Sequence, residues 1–352
     1  MLARMLLAVA ALLAVVSAAA IARDPPFGGA GNLTIGVRGD KLTAALNDAY
    51  VRPFSDVTGL NAVVVAWDGG LDVLRDQSKT ADNAWGLVLI DPDELATGCS
   101  DGIFEKTDWS AVGGKDHYQP WGVSDCGVGA MITNTVLAWD KDKFPTTPTW
   151  ADFWDVAKYP GKRGLRKSER GALEIALLAD GVAPADIYKT LASKDGVDRA
   201  FQKLDQLRPY IVWWQNGAEA AKILGSGDVL MTSAPSSAIV TAARSENRNF
   251  GIQWTASLYD ILSWAIPHGS PDLRTAQQFL YFTGAPAIEA RLMRQNGLIG
   301  PAKGLNEGLP PELQAISPSN PANLSAALRS DTGYWHDNLA KLRPRFEAWL
   351  GK

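Results

Sequence analysis

Charged side chains follow predicted strands at two places in this sequence. Asp91 and Asp93 flank a proline directly after an apolar run, and Arg170 ends the basic turn 166–170 ahead of an apolar helix. In a parallel α/β sheet such loops meet at one crevice, where ligands bind. Two carboxylates there could hold a cation or form the acidic pair of a glycosidase, and Arg170 could bind a carboxylate through two hydrogen bonds. The simpler interpretation is that Asp91 caps the next helix and that the basic turn is only solvated.

A hydroxyl-rich segment, TSAPSS at 232–237, is the second candidate site. It follows a predicted strand at 229–231 and opens a helix with a proline near its first turn. Ser233 and Ser236, with the free N–H groups of that helix N-terminus, could bind a carboxylate or another anionic group. Ordinary helix capping is the alternative, because serine caps many helices without a ligand.

Tryptophan is abundant, with 13 residues, and the face of its ring attracts cations. Trp213 and Trp214 belong to a predicted strand at 211–214, so their rings point to opposite faces and only one of them can reach a cleft. Trp214 is therefore a candidate ligand-binding residue, and burial in the core is the alternative for both.

Sequence signatures of catalysis and metal binding are missing. His117, His268 and His336 are scattered, and there is no HExxH, CxxC, Gly-x-Ser-x-Gly or P-loop pattern. The sequence therefore favours a binding protein over an enzyme, and we predict no cofactor and no metal.

The length of the chain suits two lobes, because 352 residues exceed one typical core. Hydrophobic residues make up 46% and charged residues 20%, which is ordinary for a soluble globular protein. The formal net charge is −4 and there is no basic run, so nucleic acid is excluded as a partner.

The first 22 residues have the pattern of a secretory signal peptide. Arg4 precedes an apolar run, and Ala20 and Ala22 form an A-x-A site, so we expect cleavage after Ala22. A retained membrane anchor is the alternative. Export would place Cys99 and Cys126 where disulfides persist, and we predict that they pair. Two buried free thiols, or a nucleophilic Cys126, are the other possibilities.

Predicted strands and helices alternate three times before residue 100, beginning with a strand at 33–37 and a helix at 42–54. The alternation returns after residue 160. Two apolar stretches, 131–140 and 258–267, are predicted to cross between the two resulting units. This order predicts an α/β fold with parallel sheets.

Three stretches carry a family resemblance: WADFWDVAKYPGKRGLRKSERGALEIALLADG at 150–181, ASKDGVDRAFQKLDQLRPYIVWWQNGAEAAKILGSGDVLMTSA at 192–234 and LYDILSWAIPHGSP at 258–271. They resemble periplasmic solute-binding proteins of bacterial ABC importers, specifically the spermidine/putrescine-binding family. The resemblance implies a two-lobed type II binding-protein fold, with a parallel-rich sheet and flanking helices in each lobe and two or more crossovers.

The same resemblance implies a division of the chain and a set of partners. Lobe one would comprise 32–135 with 265–316, and lobe two 136–264 with 317–352. The protein would be a monomeric periplasmic receptor that closes on a small solute by hinge motion and delivers it to an ABC permease in the inner membrane.

The sequence departs from that family at positions that hold a diamine between aromatic rings and carboxylates. Arg38, followed by Gly39 and Asp40, stands where that family commonly has a Trp after the first strand. Ser168 and Gly171 stand at the usual acidic positions before the helix that follows the basic turn, Leu262 at the acidic position of the second crossover, and Ile299 at the Tyr position before Gly300. Asp260 lies two residues from the usual acidic position, and we include Asp260 with Arg38, Gly39, Asp40 and Ser168 among the predicted ligand-binding residues. Because cation-stabilising groups are lost and arginines are gained, a polyamine and an amino-acid-like or carboxylated amine are both candidate ligands.

Two other functions fit parts of the sequence. A secreted hydrolase could use Asp91 and Asp93, and a periplasmic ligand sensor could keep the fold while lacking the transport role. Neither has a sequence signature of its own.

Overall fold

All nine strands of the described part of the chain belong to one β-sheet. The computed structural model describes residues 32–77 and 85–351, except the side chains of Asp40 and Gln77, so the predicted signal peptide lies outside the described residues. The strands of this part are β1 (Asn32–Val37), β2 (Asn61–Ala66), β3 (Leu87–Ile90), β4 (Val128–Asp140), β5 (Arg163–Arg166), β6 (Ile211–Trp214), β7 (Met231–Ala234), β8 (Phe250–Ala265) and β9 (Leu328–Arg329).

Two parallel groups of strands flank a central antiparallel pair. The order is β2-β1-β3-β8-β4-β7-β5-β6, and β9 pairs with β8. The strands β1, β2 and β3 are parallel, as are β5, β6 and β7; we call these groups the β1 side and the β5 side. β4 and β8, with 13 and 16 residues, are long enough to belong to both sides. The predicted α/β class is confirmed, but the two expected sheets form one continuous sheet.

Helices cover the faces of both parallel groups. They are α1 (Asp40–Leu46), α2 (Arg52–Thr58), α3 (Leu71–Gln77), α4 (Pro92–Ser100), α5 (Trp150–Trp154), α6 (Glu169–Ala179), α7 (Ile187–Leu191), α8 (Lys194–Leu207), α9 (Gly217–Gly225), α10 (Ser236–Ser245), α11 (Leu273–Thr283), α12 (Pro286–Asn296), α13 (Pro311–Ala315), α14 (Pro321–Leu324) and α15 (Thr332–Leu350). A π-helical turn, Asn47–Val51, joins α1 to α2, so the predicted helix at 42–54 is part of a longer helical segment.

Each side of the sheet has its own hydrophobic core. Leu33, Phe54 and Phe279 are buried on the β1 side, and Leu173, Phe201 and Trp335 on the β5 side. Helix α15 belongs to the second core and also packs against α4. The C-terminal helix therefore contacts elements from both sides of the sheet.

The start of α6 is irregular because of a glycine. Gly171 has a φ of +85°, a left-handed conformation that side chains with a Cβ rarely adopt, and Arg170 before it is extended. The helix is regular only from Ala172 onward, and its predicted apolar face, including Ile175 and Ala176, is buried.

The predicted disulfide is confirmed: Cys99, near the end of α4, is bonded to Cys126, just before β4.

The predicted strand at 229–231 was placed too early in the sequence, since β7 covers Met231–Ala234. Thr232 and Ser233 continue the strand, because they pair with the antiparallel neighbour β4, where Ser233 is opposite Leu137. Long-range pairing of this kind leaves no signal in the local sequence.

Candidate ligand-binding cleft

A cleft with a volume of ≈ 700 Å³ opens between the two sides of the sheet, above the middle of β4 and β8. Its walls include the N-termini of α4, α6 and α10, and its floor includes residues 132–135 and 258–260. Eight of the predicted ligand-binding residues line it: Arg38, Asp91, Asp93, Ser168, Arg170, Trp214, Ser236 and Asp260. Loops that are far apart in the sequence meet here because they follow strand ends on the two sides.

Arg38 forms ion pairs within the β1 side. It follows β1 and donates hydrogen bonds to Asp91 and to Glu94, the latter at 2.5 Å, while its guanidinium lies 5.8 Å from the centre of the Trp67 ring. One arginine is thereby shared by two acids of the α4 N-terminus, and its single positive charge compensates only one of them. Among the described residues, the buried Arg38 Nε and Glu94 Oε2 have no hydrogen-bond partner.

Arg170 forms an ion pair across the cleft. It donates a hydrogen bond to Asp93 on α4, and its guanidinium lies 5.4 Å from the centre of the Trp335 ring on α15. Within the described part of the chain, Arg170 Nε and Asp93 Oδ1 are buried without a partner. The pair therefore has unused hydrogen-bonding capacity on both sides.

A buried carboxylate behind Arg170 fixes the turn. Glu174 is fully buried, and it accepts hydrogen bonds from the Gly171 N–H at 2.9 Å, the Tyr188 hydroxyl at 3.0 Å and the Trp335 indole at 2.8 Å. Burial raises the pKa of Glu174, and the three donors oppose that rise. Ser168 occupies the N-cap position of α6 but makes no capping hydrogen bond from its side chain, so Glu174 holds the turn.

Asp260 lies in the second crossing strand, β8, on the floor of the cleft. Burial raises the pKa of this carboxyl, with Asp93 and Asp91 adding to the rise, while a hydrogen bond from Ser330 and the charge of Arg170 oppose it. An acid whose charged form is disfavoured by burial gains most from a cation brought next to it.

The N-terminus of α10 is less open to an anion than the sequence suggested. Asn134, on β4, accepts a hydrogen bond from the Ser236 N–H and donates one to the Ser236 hydroxyl, both at 2.9 Å. One of the free N–H groups at this helix end is thus satisfied inside the protein. Trp214 lines the same wall, and among the described residues its buried Nε1 has no partner.

Three predicted residues lie elsewhere. Ser233 was expected in a loop, but it is fully buried in β7, because the strand extends through it. Gly39 is exposed at the N-cap of α1 and does not line the cleft. Asp40 begins α1, and its side chain is outside the described part.

Several lining residues were absent from the predicted set. They are Glu94, Asn134, Arg166, Gln215, Asn216, Tyr259, Ser330 and Arg343, among others. Arg166 had the same signal as Arg170, a basic residue at a strand end, and no carboxylate in the described ranges forms an ion pair with it. Ser330 and Arg343 come from the C-terminal segment, which no local pattern connects with the cleft.

Neither a metal-binding cluster nor a membrane-spanning helix occurs in the described residues. No group of three or more histidine, cysteine, aspartate or glutamate side chains there could hold a metal ion. Among the helices at 32–77 and 85–351, none combines the length and the apolar character needed to cross a membrane.

Known proteins share this fold. The chain is 28% identical to an ABC transporter substrate-binding protein from Bradyrhizobium japonicum, with a TM-score of 0.79, covering 91% of this chain and 99% of that one. The Atu4243-GABA receptor is 26% identical, with a TM-score of 0.80 and coverage of 91% and 98%. Both support the two-lobed binding-protein fold.

The expected link to spermidine/putrescine-binding proteins extends only to the fold. A spermidine/putrescine ABC transporter substrate-binding protein from Streptococcus pneumoniae is 15% identical, with a TM-score of 0.73, covering 91% of this chain and 100% of that one. A sequence identity this low supports a shared fold but gives no information about the ligand.

A curated relative is much more similar. The gamma-aminobutyric acid-binding protein of Pseudomonas aeruginosa is 38% identical over 323 residues, which cover 91% of each chain. The model of the bacterial extracellular solute-binding protein family matches residues 49–322. These proteins bind solutes and are not enzymes, which overturns the hydrolase hypothesis: the chain belongs to the bacterial extracellular solute-binding protein family.

Proposed function

We propose that this protein is the periplasmic receptor of an ABC importer and that it captures an ω-amino acid of the 4-aminobutyrate type between two lobes. The charge distribution of the cleft carries the proposal. Arg38 pairs with two acids, Arg170 with Asp93 and Arg343 with Glu169, which leaves Arg166 and Asp260 as the lining charges outside these ion pairs among the described residues. A cleft with one such charge of each sign matches a ligand with one carboxylate and one ammonium group.

A polyamine is the competing ligand. Five carboxylates, Asp91, Asp93, Glu94, Glu169 and Asp260, line the cleft and could receive ammonium groups. Four of them are already engaged by arginines, so a dication that needs two carboxylates would have to compete with an arginine for at least one of them. The names of the relatives, which refer to 4-aminobutyrate, agree with the charge argument.

Two lobes would be joined by the crossing strands. We place lobe one at 32–135 with 265–316 and lobe two at 136–264 with 317–352. The separate cores on the two sides of the sheet support this division, and the narrow connection through β4 and β8 supports hinge motion. An ABC permease would accept the closed form; a monomer suffices, because every wall of the cleft comes from one chain.

Calorimetry and thermal melting test the ligand. 4-Aminobutyrate, putrescine, spermidine and succinate would each be titrated, since a ligand at a hundredfold excess over its dissociation constant stabilises the native state by about 2.7 kcal/mol. We expect 4-aminobutyrate to raise the melting temperature and the other three to have smaller effects. Binding of putrescine or spermidine without 4-aminobutyrate would overturn the proposed ligand class.

Variants of Arg166 and Asp260, the two lining charges outside ion pairs, test the same proposal residue by residue. Arg166→Gln and Asp260→Asn should each weaken the binding of 4-aminobutyrate by about 10-fold or more, because each removes one charge partner. Lys167→Gln is the matched control, since Lys167 is adjacent in sequence and does not line the cleft.

A further inference from the structure

A second pocket, with a volume of ≈ 560 Å³, lies behind the crossing strand β8. Side chains alternate along a strand, so Ile261 and Ser263 point to the face of β8 opposite to that of Asp260, which lines the ligand-binding cleft. The pocket is bounded by one face of α4, the segment 121–126 and the start of α15. We call it the rear pocket.

Part of the lining of the rear pocket is apolar. Leu95 and Ala96 of α4, Trp121 and Ile261 contribute to it, together with the disulfide at the end of α4. Ile261 is buried, whereas Leu95 and Trp121 are partly exposed toward the pocket and solvent. Such a surface can accept the hydrocarbon or aromatic part of a small molecule.

The polar groups of the rear pocket favour an anion. Ser263 is 4% exposed, and its hydroxyl has no hydrogen-bond partner among the described residues. A buried hydroxyl without a partner favours a ligand that supplies one. Lys106 and Arg329 also line the pocket, and neither forms an ion pair within the described ranges. Asp125 is the acid of this lining, so the cations outnumber the acids.

We propose that the rear pocket is a second binding site, for a small organic carboxylate with an apolar or aromatic body, and that its occupation opposes closure of the cleft. The carboxylate accepts a hydrogen bond from the Ser263 hydroxyl and is attracted by Lys106 and Arg329. The body of the ligand packs against Trp121 and the apolar face of α4.

The opposition to closure follows from the position of the rear pocket at the hinge. In the division proposed above, α4 and 121–126 belong to lobe one, whereas Arg329 and Thr332 belong to lobe two. The cleft and the rear pocket use opposite faces of β8, so a rotation that narrows the cleft moves the rear walls apart. A compound that contacts both rear walls therefore binds the open form better and lowers the affinity of the cleft for its ligand. This coupling rests on the proposed function, but the rear site does not.

Calorimetry with benzoate tests the rear site. Benzoate should bind the wild-type chain about 10-fold more tightly than the neutral benzamide or the cationic benzylamine. Ser263→Ala should weaken benzoate binding by about 5-fold, because the hydroxyl loses its role as donor. Lys106→Gln and Arg329→Gln should each weaken it by about 3-fold, since exposed charges contribute little.

Two control variants locate the benzoate. Lys303→Gln should leave its affinity unchanged, because Lys303 is an exposed lysine that lines neither pocket. Arg166→Gln should also leave it unchanged, because Arg166 lines the cleft and not the rear pocket. Absence of saturable benzoate binding, or equal affinity in the wild type and the three rear-pocket variants, would overturn the rear site.

Titration of 4-aminobutyrate with and without saturating benzoate tests the coupling. Benzoate should lower the affinity for 4-aminobutyrate by about 5-fold, and 4-aminobutyrate should lower the affinity for benzoate by the same factor. The effect should level off as the benzoate concentration rises. A decrease that continues without limit would place benzoate in the cleft and overturn the rear site, and an unchanged affinity for 4-aminobutyrate would overturn the coupling.

The two proposals fail in distinguishable ways. If the wild-type chain binds no 4-aminobutyrate, the proposed function is wrong, and the rear site is still decided by benzoate binding to the wild type and to Ser263→Ala. If the wild-type chain binds 4-aminobutyrate but not benzoate, the rear site is wrong and the proposed function stands.

Discussion

The buried carboxylate of Glu174 offers a direct test of how the cleft is built. Its two oxygens accept hydrogen bonds from three donors, the Gly171 N–H, the Tyr188 hydroxyl and the Trp335 indole. Glu174→Gln retains one oxygen, which can serve Tyr188 and Trp335, but it places an amide N–H against the Gly171 N–H. One buried donor loses its acceptor, so we expect the free energy of unfolding to fall by about 1 to 3 kcal/mol.

Glu174→Gln should also weaken ligand binding, because Glu174 holds the turn that positions Arg170. Gly171 directly follows Arg170, and its left-handed conformation is held by Glu174. Loosening that turn should weaken 4-aminobutyrate binding by about 10-fold, which corresponds to about 1.4 kcal/mol.

Urea unfolding followed by tryptophan fluorescence, together with calorimetry at the same pH, measures both effects. Glu219→Gln is the control, because Glu219 also accepts a backbone N–H, that of Gln215 at 2.7 Å, but is exposed. It should change the unfolding free energy by less than about 0.5 kcal/mol. If Glu174→Gln behaves like this control in both assays, the reasoning about the buried acceptor is wrong.

Three further predictions concern stability. Replacing both Cys99 and Cys126 with alanine opens a loop with a sequence separation of 27, and the chain-entropy relation gives a loss of about 3.5 kcal/mol in urea unfolding; a wild-type chain that gains no stability from oxidation over reduction would contradict this. Burial raises the pKa of Glu289 well above its usual range, so the folded state keeps a proton that the unfolded state releases. Wild-type stability should therefore fall as pH rises from about 4.3 through the raised value, and Glu289→Gln should flatten that fall in melting curves taken between pH 4 and 7. Gly171→Ala should cost about 1 to 2 kcal/mol of unfolding free energy, because φ is +85° there, whereas Gly333→Ala, at a helical position without positive φ, should not destabilise the chain.

Local patterns in the sequence were sufficient to predict most helices and strands and the disulfide between Cys99 and Cys126. The apolar spacing of α6, the alternation of strands and helices, and the opposite faces of Trp213 and Trp214 all follow from helix and strand periods. In the structure, Trp213 packs against Phe346 and Trp349, while Trp214 lines the cleft. The disulfide followed from two cysteines and a secretion pattern, because no other pairing was available.

Tertiary structure alone decided which charges meet. Asp91, Asp93, Arg38 and Arg170 were each identified as candidate ligand contacts, but their pairing with one another depends on strand order, which brings residues 53 and 77 positions apart into contact. The extension of β7 through Ser233 has the same cause, since β4 supplies its hydrogen bonds from about 100 residues away. The periodicity of a helix or strand depends on residues that are close in the sequence, whereas the pairing of charges depends on the folded cleft. The sequence can therefore show which charged groups are present, but only the fold shows which of them are already paired and which can bind a ligand.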